Sequence, residues 1–154
     1  MANLKISQLT DGGAAQSTDE IPIARGGANF RLNAGRFSST NRIVTSQTSN
    51  YSVLSSDSGV FFTNTGASAE VDFTLPSAVS GLQYIFYVDP PHTLKVIAAG
   101  GAVIRYLSTL SAINGSISST ATGNKLSLLC IGVSSADSLS EWVVDTLEGA
   151  WSIT

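Results

Sequence analysis

The chain has 154 residues, of which 43% are apolar, 12% are charged and only one is a cysteine. This length suits one domain with a substantial core, and a single cysteine excludes an internal disulfide and a cysteine-based metal site. Charged residues usually make up about 25% of a soluble domain. Such a low content predicts that part of the surface is buried between subunits.

The net charge of −3 is distributed unevenly. Residues 1–50 hold five basic and three acidic residues, a net charge of +2, whereas residues 51–154 hold three basic and eight acidic residues, a net charge of −5. Nucleic-acid binding usually needs clustered Lys and Arg, so we expect an acidic protein partner and no nucleic acid. The sequence has neither an 18-residue apolar run nor a signal-peptide pattern. We therefore expect no membrane partner, and synthesis in the cytoplasm.

Residues 1–50 have the pattern of an extended N-terminal arm. Alternation predicts strands at residues 4–9 and 29–33, with a glycine turn at residues 10–13 between them. Pro22 lacks a backbone donor, which confines residues 21–24 to an edge strand or an extended segment. Residues 34–41 read as a linker. With so few consecutive apolar residues, this arm must be ordered by packing on its own domain, on sister subunits or on a partner.

From residue 42 onward the apolar residues recur with a period of two, between turns rich in Ser, Asn and Gly. No stretch longer than about ten residues has a convincing helical period. The fold is therefore predicted to be all-β: a compact antiparallel β-sandwich or barrel-like domain over residues 51–154, with the arm over residues 1–50. The predicted strands are residues 42–45, 51–54, 59–63, 69–75, 82–88, 93–98, 102–106, 126–133, 141–145 and 150–153.

Two of these strands, residues 82–88 and 126–133, are apolar on both faces. In the first, Ile85 and Tyr87 oppose Tyr84 and Phe86. Such a strand either lies at the centre of a sandwich or has one face at a subunit interface. The sequence leaves both interpretations open, and the low charge content favours keeping the second.

Catalytic residue patterns are missing from the sequence. His92 is the only histidine and follows two prolines, which indicates a solvated turn. Glu141 and Asp145 are about 13 Å apart on a strand, too far for a sugar-cleaving carboxylate pair, and Glu70 with Asp72 reads as an outward strand face. Cys130 lies in an apolar run and reads as a small buried residue. We expect no enzyme activity, no cofactor and no metal.

The two tryptophans allow one other kind of site. An exposed tryptophan can stack on a sugar ring, but alternation places Trp142 beside Val144 on one strand face. Burial in the core or at an interface is therefore the expected state of Trp142. A sugar-binding role for Trp142 or Trp151 stays as the alternative.

Two stretches resemble structural proteins of tailed-bacteriophage virions. Residues 4–32, with a short Ile-Ser-Gln-Leu strand and then Asp-Glu-Ile-Pro-Ile-Ala-Arg-Gly-Gly, look like the N-terminal docking segment of such proteins. Residues 73–151 are similar to the small β domain of tail fibres and head-decoration proteins. The stretches that carry this second likeness are residues 73–88, 93–98, 126–132, 141–144 and 149–151.

This resemblance implies a homotrimer that decorates the capsid surface of the virion, a cement protein that stabilises the capsid lattice. Its partners would be the major capsid protein and further copies of itself. Arg25, Phe30, Arg31 and Arg36 would make the capsid contacts, with Arg pairing to carboxylates and Phe30 filling a pocket. The alternative is a tail-fibre or tail-adaptor subunit, or an adhesin that binds host glycan.

Overall fold

The computed structural model describes residues 20–25, 28–33 and 42–154. The chain divides into two units, Met1–Asn41 and Arg42–Thr154. In the first unit, β1 (Glu20–Arg25) and β2 (Ala28–Asn33) form a two-stranded antiparallel sheet. The intervening sequence is Gly-Gly, a pair favoured in two-residue hairpin loops. The predicted strand at residues 4–9, the turn at residues 10–13 and the linker at residues 34–41 lie outside the described residues.

The second unit is all-β, as predicted, and its described residues contain no α-helix. A single 3-10 turn covers Ser55–Asp57, where the Asp57 carboxylate accepts a hydrogen bond of 2.9 Å from the Leu54 amide. The strands are β3 (Val44–Ser46), β4 (Tyr51–Ser52), β5 (Phe61–Thr63), β6 (Val71–Thr74), β7 (Gln83–Tyr87), β8 (Leu94–Ile97), β9 (Val103–Tyr106), β10 (Thr109–Leu110), β11 (Ser116–Ser119), β12 (Lys125–Val133), β13 (Ser140–Glu148) and β14 (Ser152–Ile153).

These strands form two sheets. The seven-stranded sheet has the order β10-β9-β13-β12-β7-β5-β3, and the five-stranded sheet has the order β14-β11-β8-β6-β4. Because β3 belongs to the seven-stranded sheet, this unit begins before residue 51, within the segment that composition assigned to the arm.

Both sheets are mixed, so the prediction of an antiparallel domain was wrong in this respect. From β3 to β8 successive strands belong alternately to the two sheets. Each of these strands after β4 is parallel to the strand that precedes it in its own sheet. The parallel pairs that result are β3 with β5, β5 with β7, β4 with β6 and β6 with β8. These strands thus form three turns of a flattened coil. β12 pairs antiparallel with both β7 and β13, and β13 pairs parallel with β9.

Side chains from both sheets pack into one core. Phe62 of the seven-stranded sheet lies 5.5 Å, between ring centroids, from Phe73 of the five-stranded sheet. Phe86 stacks on Phe62 at 5.6 Å and contacts Phe73 edge-on at 5.3 Å. Aromatic pairs in these arrangements add about 0.5–1.5 kcal/mol each beyond the area that they bury. This aromatic group therefore holds the two sheets together.

Tyr84 makes the stability of the folded chain depend on pH in the alkaline range. Its ring is buried, and its hydroxyl donates a hydrogen bond of 3.0 Å to the carbonyl oxygen of Leu54. Burial, followed by the charge of Asp57, raises the pKa of Tyr84 from 10.0 to about 12. The unfolded chain releases this proton first, so the stabilisation is complete below pH 10 and is lost as the pH rises toward about 12.

We therefore expect the free energy of unfolding of the native chain to fall between pH 10 and about 12 more steeply than that of a Tyr84→Phe variant. Urea denaturation of both proteins across that range measures the two slopes. Equal slopes would show that Tyr84 keeps its ordinary pKa.

Every predicted strand of the β domain corresponds to an observed one, with ends that differ by a few residues. Two observed strands, β10 and β11, were not predicted. β11 has the sequence Ser-Ile-Ser-Ser, and a single apolar residue gives no alternation to detect.

Candidate interaction surface

Of the four carboxylates considered for catalysis, Glu141, Glu70 and Asp72 lie within ion-pair range of a basic side chain, and Asp145 is exposed. Glu141 is 1% exposed and accepts two hydrogen bonds from Arg105, at 2.8 Å from Nε and 2.6 Å from Nη2. Asp137 accepts a third from the same Nη2 at 2.6 Å. The backbone amide of Leu139 is the main reason why the pKa of Asp137 is lowered, and Arg105 adds to it. This cluster ties the β12–β13 loop to β9.

The second carboxylate pair lies on the five-stranded sheet. Lys95 donates a hydrogen bond of 2.7 Å to Glu70, which lowers the pKa of Glu70 and raises that of Lys95. Asp72 lies 3.6 Å from the same ammonium, within ion-pair range but beyond hydrogen-bond range. No group of three or more His, Cys, Asp or Glu side chains suited to a metal occurs among the described residues.

The histidine and the cysteine lie at positions that contribute to the fold. His92 is half-buried in the bend after Pro91, and its carbonyl oxygen accepts a hydrogen bond of 3.1 Å from Asn64. Cys130 is buried, as predicted, and burial raises the pKa of its thiol. A raised pKa keeps the thiol protonated and unreactive near neutral pH.

The two tryptophans differ in exposure. Trp142 is fully buried, as predicted, and its ring lies 5.6 Å from that of Tyr84. Trp142 is therefore inaccessible to a sugar in the folded domain. Trp151 is half-buried, and its Nε1 donates a hydrogen bond of 3.1 Å to the carbonyl oxygen of Glu148. It borders a shallow groove of about 280 Å³, lined also by Ser118, Ser119, Thr120, Ala121, Ala150 and Ser152.

The outer face of the five-stranded sheet is polar. Register pairs Ser52 with Thr74, Asp72 with Lys95, and Ser118 with Ser152 along this face. Hydroxyls and a surface ion pair interact readily with water, and Ile97 is the apolar exception at its centre. This face has the composition of an ordinary solvent-facing sheet surface.

The outer face of the seven-stranded sheet has more apolar residues, although Ser127 and Gln83 interrupt them by pairing in register with Ile85 and Leu129. The parallel register places Val44, Phe61 and Ile85 in one row across β3, β5 and β7. Leu129 pairs with Val143 in the neighbouring row, and Tyr87 lies beside Phe61 with ring centroids 6.0 Å apart. Val44 is 64% exposed and the others are half-buried. We call these six residues the apolar face; they are Val44, Phe61, Ile85, Tyr87, Leu129 and Val143.

Five charged residues at the borders of the apolar face form ion pairs within the chain. Lys125 and Glu148 face each other across β12 and β13 and form an ion pair. Arg105, next to Val143 in register, is held by Glu141 and Asp137. Lys125 and Glu148 neutralise each other, whereas the Arg105 cluster keeps a net charge of −1, and Asp145, exposed on β13, has no ion pair among the described residues.

Burial within the chain covers one face of each doubly apolar strand and leaves the other partly exposed. Tyr84, Phe86, Leu126 and Leu128 are in the core, whereas Ile85, Tyr87 and Leu129 are on the apolar face. Sequence patterns pointed to these outward residues but not to Val44, Phe61 and Val143. The parallel register of β3, β5 and β7 adds Val44 and Phe61 to this surface, and the pairing of β12 with β13 adds Val143.

Three of the four predicted capsid-contact residues lie in the β1–β2 hairpin. Arg25 pairs in register with Ala28, Phe30 with Ile23, and Arg31 with Pro22. Arg36 lies outside the described residues.

No protein-family model matches this chain, and a search of curated proteins finds no match either. Among the described residues, no helix is both long and apolar enough to span a membrane. Interpretation of function therefore depends on the surfaces described above.

Proposed function

We propose that this chain is a bacteriophage capsid-decoration protein, which trimerises on the surface of the phage head and stabilises the capsid lattice. The observation that carries the proposal is the difference between the two outer faces of the β domain. One face is polar and suited to water, whereas the other presents the apolar face, on which Val44, Phe61 and Ile85 are aligned in register. A domain of this kind suits assembly, because exposed apolar patches mark interaction sites.

The layout of the domain supports the same function. Two sheets that share one core are the arrangement of a β-sandwich, which gives a compact unit that can sit on a lattice. The sequence likeness to phage virion proteins covers both this unit and the N-terminal segment. By this proposal the protein is made in the host cytoplasm and ends on the capsid surface.

The N-terminal hairpin supplies the proposed contact with the major capsid protein. An isolated two-stranded hairpin is marginally stable in water, so it gains most from packing on another surface. Its register pairs Ile21 with Leu32 and Ile23 with Phe30, so apolar residues are neighbours across the two strands. Arg25 and Arg31, with Arg36 in the adjoining segment, would pair with carboxylates of the capsid protein.

The test uses purified capsids of the phage that encodes the chain, sedimented with added full-length protein. We expect a variant carrying Arg25→Glu and Arg31→Glu to bind at least tenfold more weakly, since each substitution replaces a proposed ion pair by repulsion. Arg42→Glu is the matched control, because Arg42 belongs to the same basic segment and is not a proposed contact. Unchanged binding by the double variant, or by a chain that lacks residues 1–41, would contradict the proposal.

A tail-fibre or adhesin subunit that binds host glycan is the second candidate. The groove beside Trp151 favours it, because a half-exposed tryptophan flanked by hydroxyl groups is suited to stacking on a sugar and bonding to it. Glycan-array binding that is lost on Trp151→Ala would favour this candidate over capsid decoration.

A further inference from the structure

The turn before β11 places an asparagine next to a glycine, and the fold favours both residues. Gly115 closes this turn by donating a hydrogen bond of 2.8 Å to the carbonyl oxygen of Ala112. Asn114, the third residue of the turn, has φ of +56°, a conformation that Gly and Asn adopt more readily than other residues. A Cβ at Gly115 would lie 2.7 Å from the Ala112 oxygen and closer still to the main-chain oxygen of Thr154. Neither residue can be replaced freely.

This pair of residues is chemically labile. Asparagine is a thermolabile residue, because the main-chain nitrogen of the next residue can attack its side-chain Cγ. A nitrogen–carbon bond forms, and ammonia leaves with the proton from that nitrogen. Water then opens the cyclic imide at either carbonyl, which gives aspartate or isoaspartate. A glycine in the next position leaves the nitrogen unhindered, and Asn114 is the only asparagine in the sequence that precedes a glycine.

We propose that Asn114 is a site of deamidation and that the packing of β14 controls the rate of this reaction. The proposal is independent of capsid decoration. In the folded chain, hydrogen bonds occupy the groups that must react. The Gly115 nitrogen donates its proton to Ala112, and Oδ1 of Asn114 accepts a hydrogen bond of 2.8 Å from the amide of Gly101. The turn must therefore open before the imide can form.

Thr154, which follows β14, holds this turn closed. Its main-chain oxygen accepts hydrogen bonds from the amides of Ala112 at 3.3 Å and Ser116 at 3.0 Å, on either side of Gly115. Its own amide donates to the Ser116 oxygen at 2.9 Å. β14 has two residues and forms one edge of the five-stranded sheet. A short edge strand opens locally at a lower free energy than a central strand, so opening of β14 is the step that exposes Asn114.

The two products of the reaction have different effects on the fold. Aspartate keeps the side-chain oxygen that accepts the hydrogen bond from Gly101. Isoaspartate adds a methylene group to the main chain between the amide of Asn114 and that of Gly115. The Asn114 amide donates to Ala102 and the Gly115 oxygen accepts from Ala98, both at 2.9 Å, and these bonds join the β8–β9 connection to the start of β11. The longer main chain cannot keep both bonds in register, so isoaspartate loosens this edge of the sheet.

The test follows conversion of Asn114 in the full-length chain in mildly alkaline buffer, by mass spectrometry and chromatographic separation of the isoaspartyl peptide. A synthetic peptide of residues 111–117 gives the unprotected rate. Ile153→Ala removes a side chain that packs β14 against the core and should raise the rate at least about tenfold over that of the native chain. Leu147→Ala is the matched control, because Leu147 is also half-buried against the core but lies on β13. It should leave the rate near the native value.

Thr154→Pro provides a second variant in case Ile153→Ala fails to fold, since it removes the amide that donates to Ser116 without a change in the core. Urea denaturation identifies the folded variants. The purified isoaspartyl form should unfold at lower urea than the native chain, whereas Asn114→Asp should unfold near the native midpoint. Equal rates in the native chain and in a folded β14 variant, or equal acceleration by Leu147→Ala, would overturn control by β14. A peptide that forms no isoaspartate would overturn the site itself.

Discussion

Truncation of Phe62 to alanine is expected to lower the free energy of unfolding by about 3–5 kcal/mol. Phe62 is 1% exposed, and it contacts four aromatic rings in the core, those of Tyr51, Phe73, Tyr84 and Phe86, with ring centroids 5.7, 5.5, 6.4 and 5.6 Å away. Its removal leaves a cavity between the two sheets, and the surrounding side chains relax too little to fill it. Urea denaturation followed by tryptophan fluorescence measures the change.

Phe61→Ala is the matched control for this prediction. Phe61 is the preceding residue on the same strand, but it points to the apolar face and is only half-buried. We expect a loss of about 1 kcal/mol in the isolated chain, because little of the side chain is removed from water there. A loss of stability equal to that of Phe62→Ala would mean that Phe61 also lies in the core.

Replacement of Gly149 by alanine is expected to lower the free energy of unfolding by about 3–5 kcal/mol. Gly149 has φ of +81°, a conformation that favours glycine. A Cβ at this position would lie 1.8 Å from Oδ1 of Asn124. Asn124 is 8% exposed, and its amide donates hydrogen bonds to Ser119 Oγ at 2.7 Å and to the Ala150 carbonyl at 2.9 Å. Displacement of this side chain would break both bonds.

Gly123→Ala separates the clash from the backbone effect. Gly123 has φ of +91°, so alanine is strained there too, but nothing lies within 4 Å of the Cβ position. We expect a loss of about 1–2 kcal/mol from the left-handed conformation alone. Thermal or urea unfolding of both variants gives the difference. Equal losses would show that Asn124 moves aside without harm.

Much of the β domain could be predicted from the sequence. A strand with one buried and one polar face, such as β6, has alternating apolar and polar residues. The direction of the strands could not be predicted in the same way. Period-two patterns are identical in parallel and antiparallel pairs, and nothing in residues 44–97 marks that the chain changes sheet at every strand. The mixed sheets thus follow from connectivity, which local sequence does not encode.

The candidate surface was predictable only in part, for the same reason. Ile85, Tyr87 and Leu129 occur in strands that are apolar on both faces, so the sequence indicates a second covered face. Phe61 and Val44 occur in short strands without a clear pattern, and only their register with Ile85 makes them part of the surface. The role of Glu141 was also hidden, since its partner Arg105 is 36 residues away in sequence.

The proposal that this chain decorates a phage capsid is tested most directly by the copy number of the chain in purified phage particles, measured by quantitative mass spectrometry against the major capsid protein. Decoration of the head lattice predicts hundreds of copies per particle, in a fixed ratio to the capsid protein. A copy number in the low tens or below, as expected for a tail component, or absence from the particle, would contradict the account.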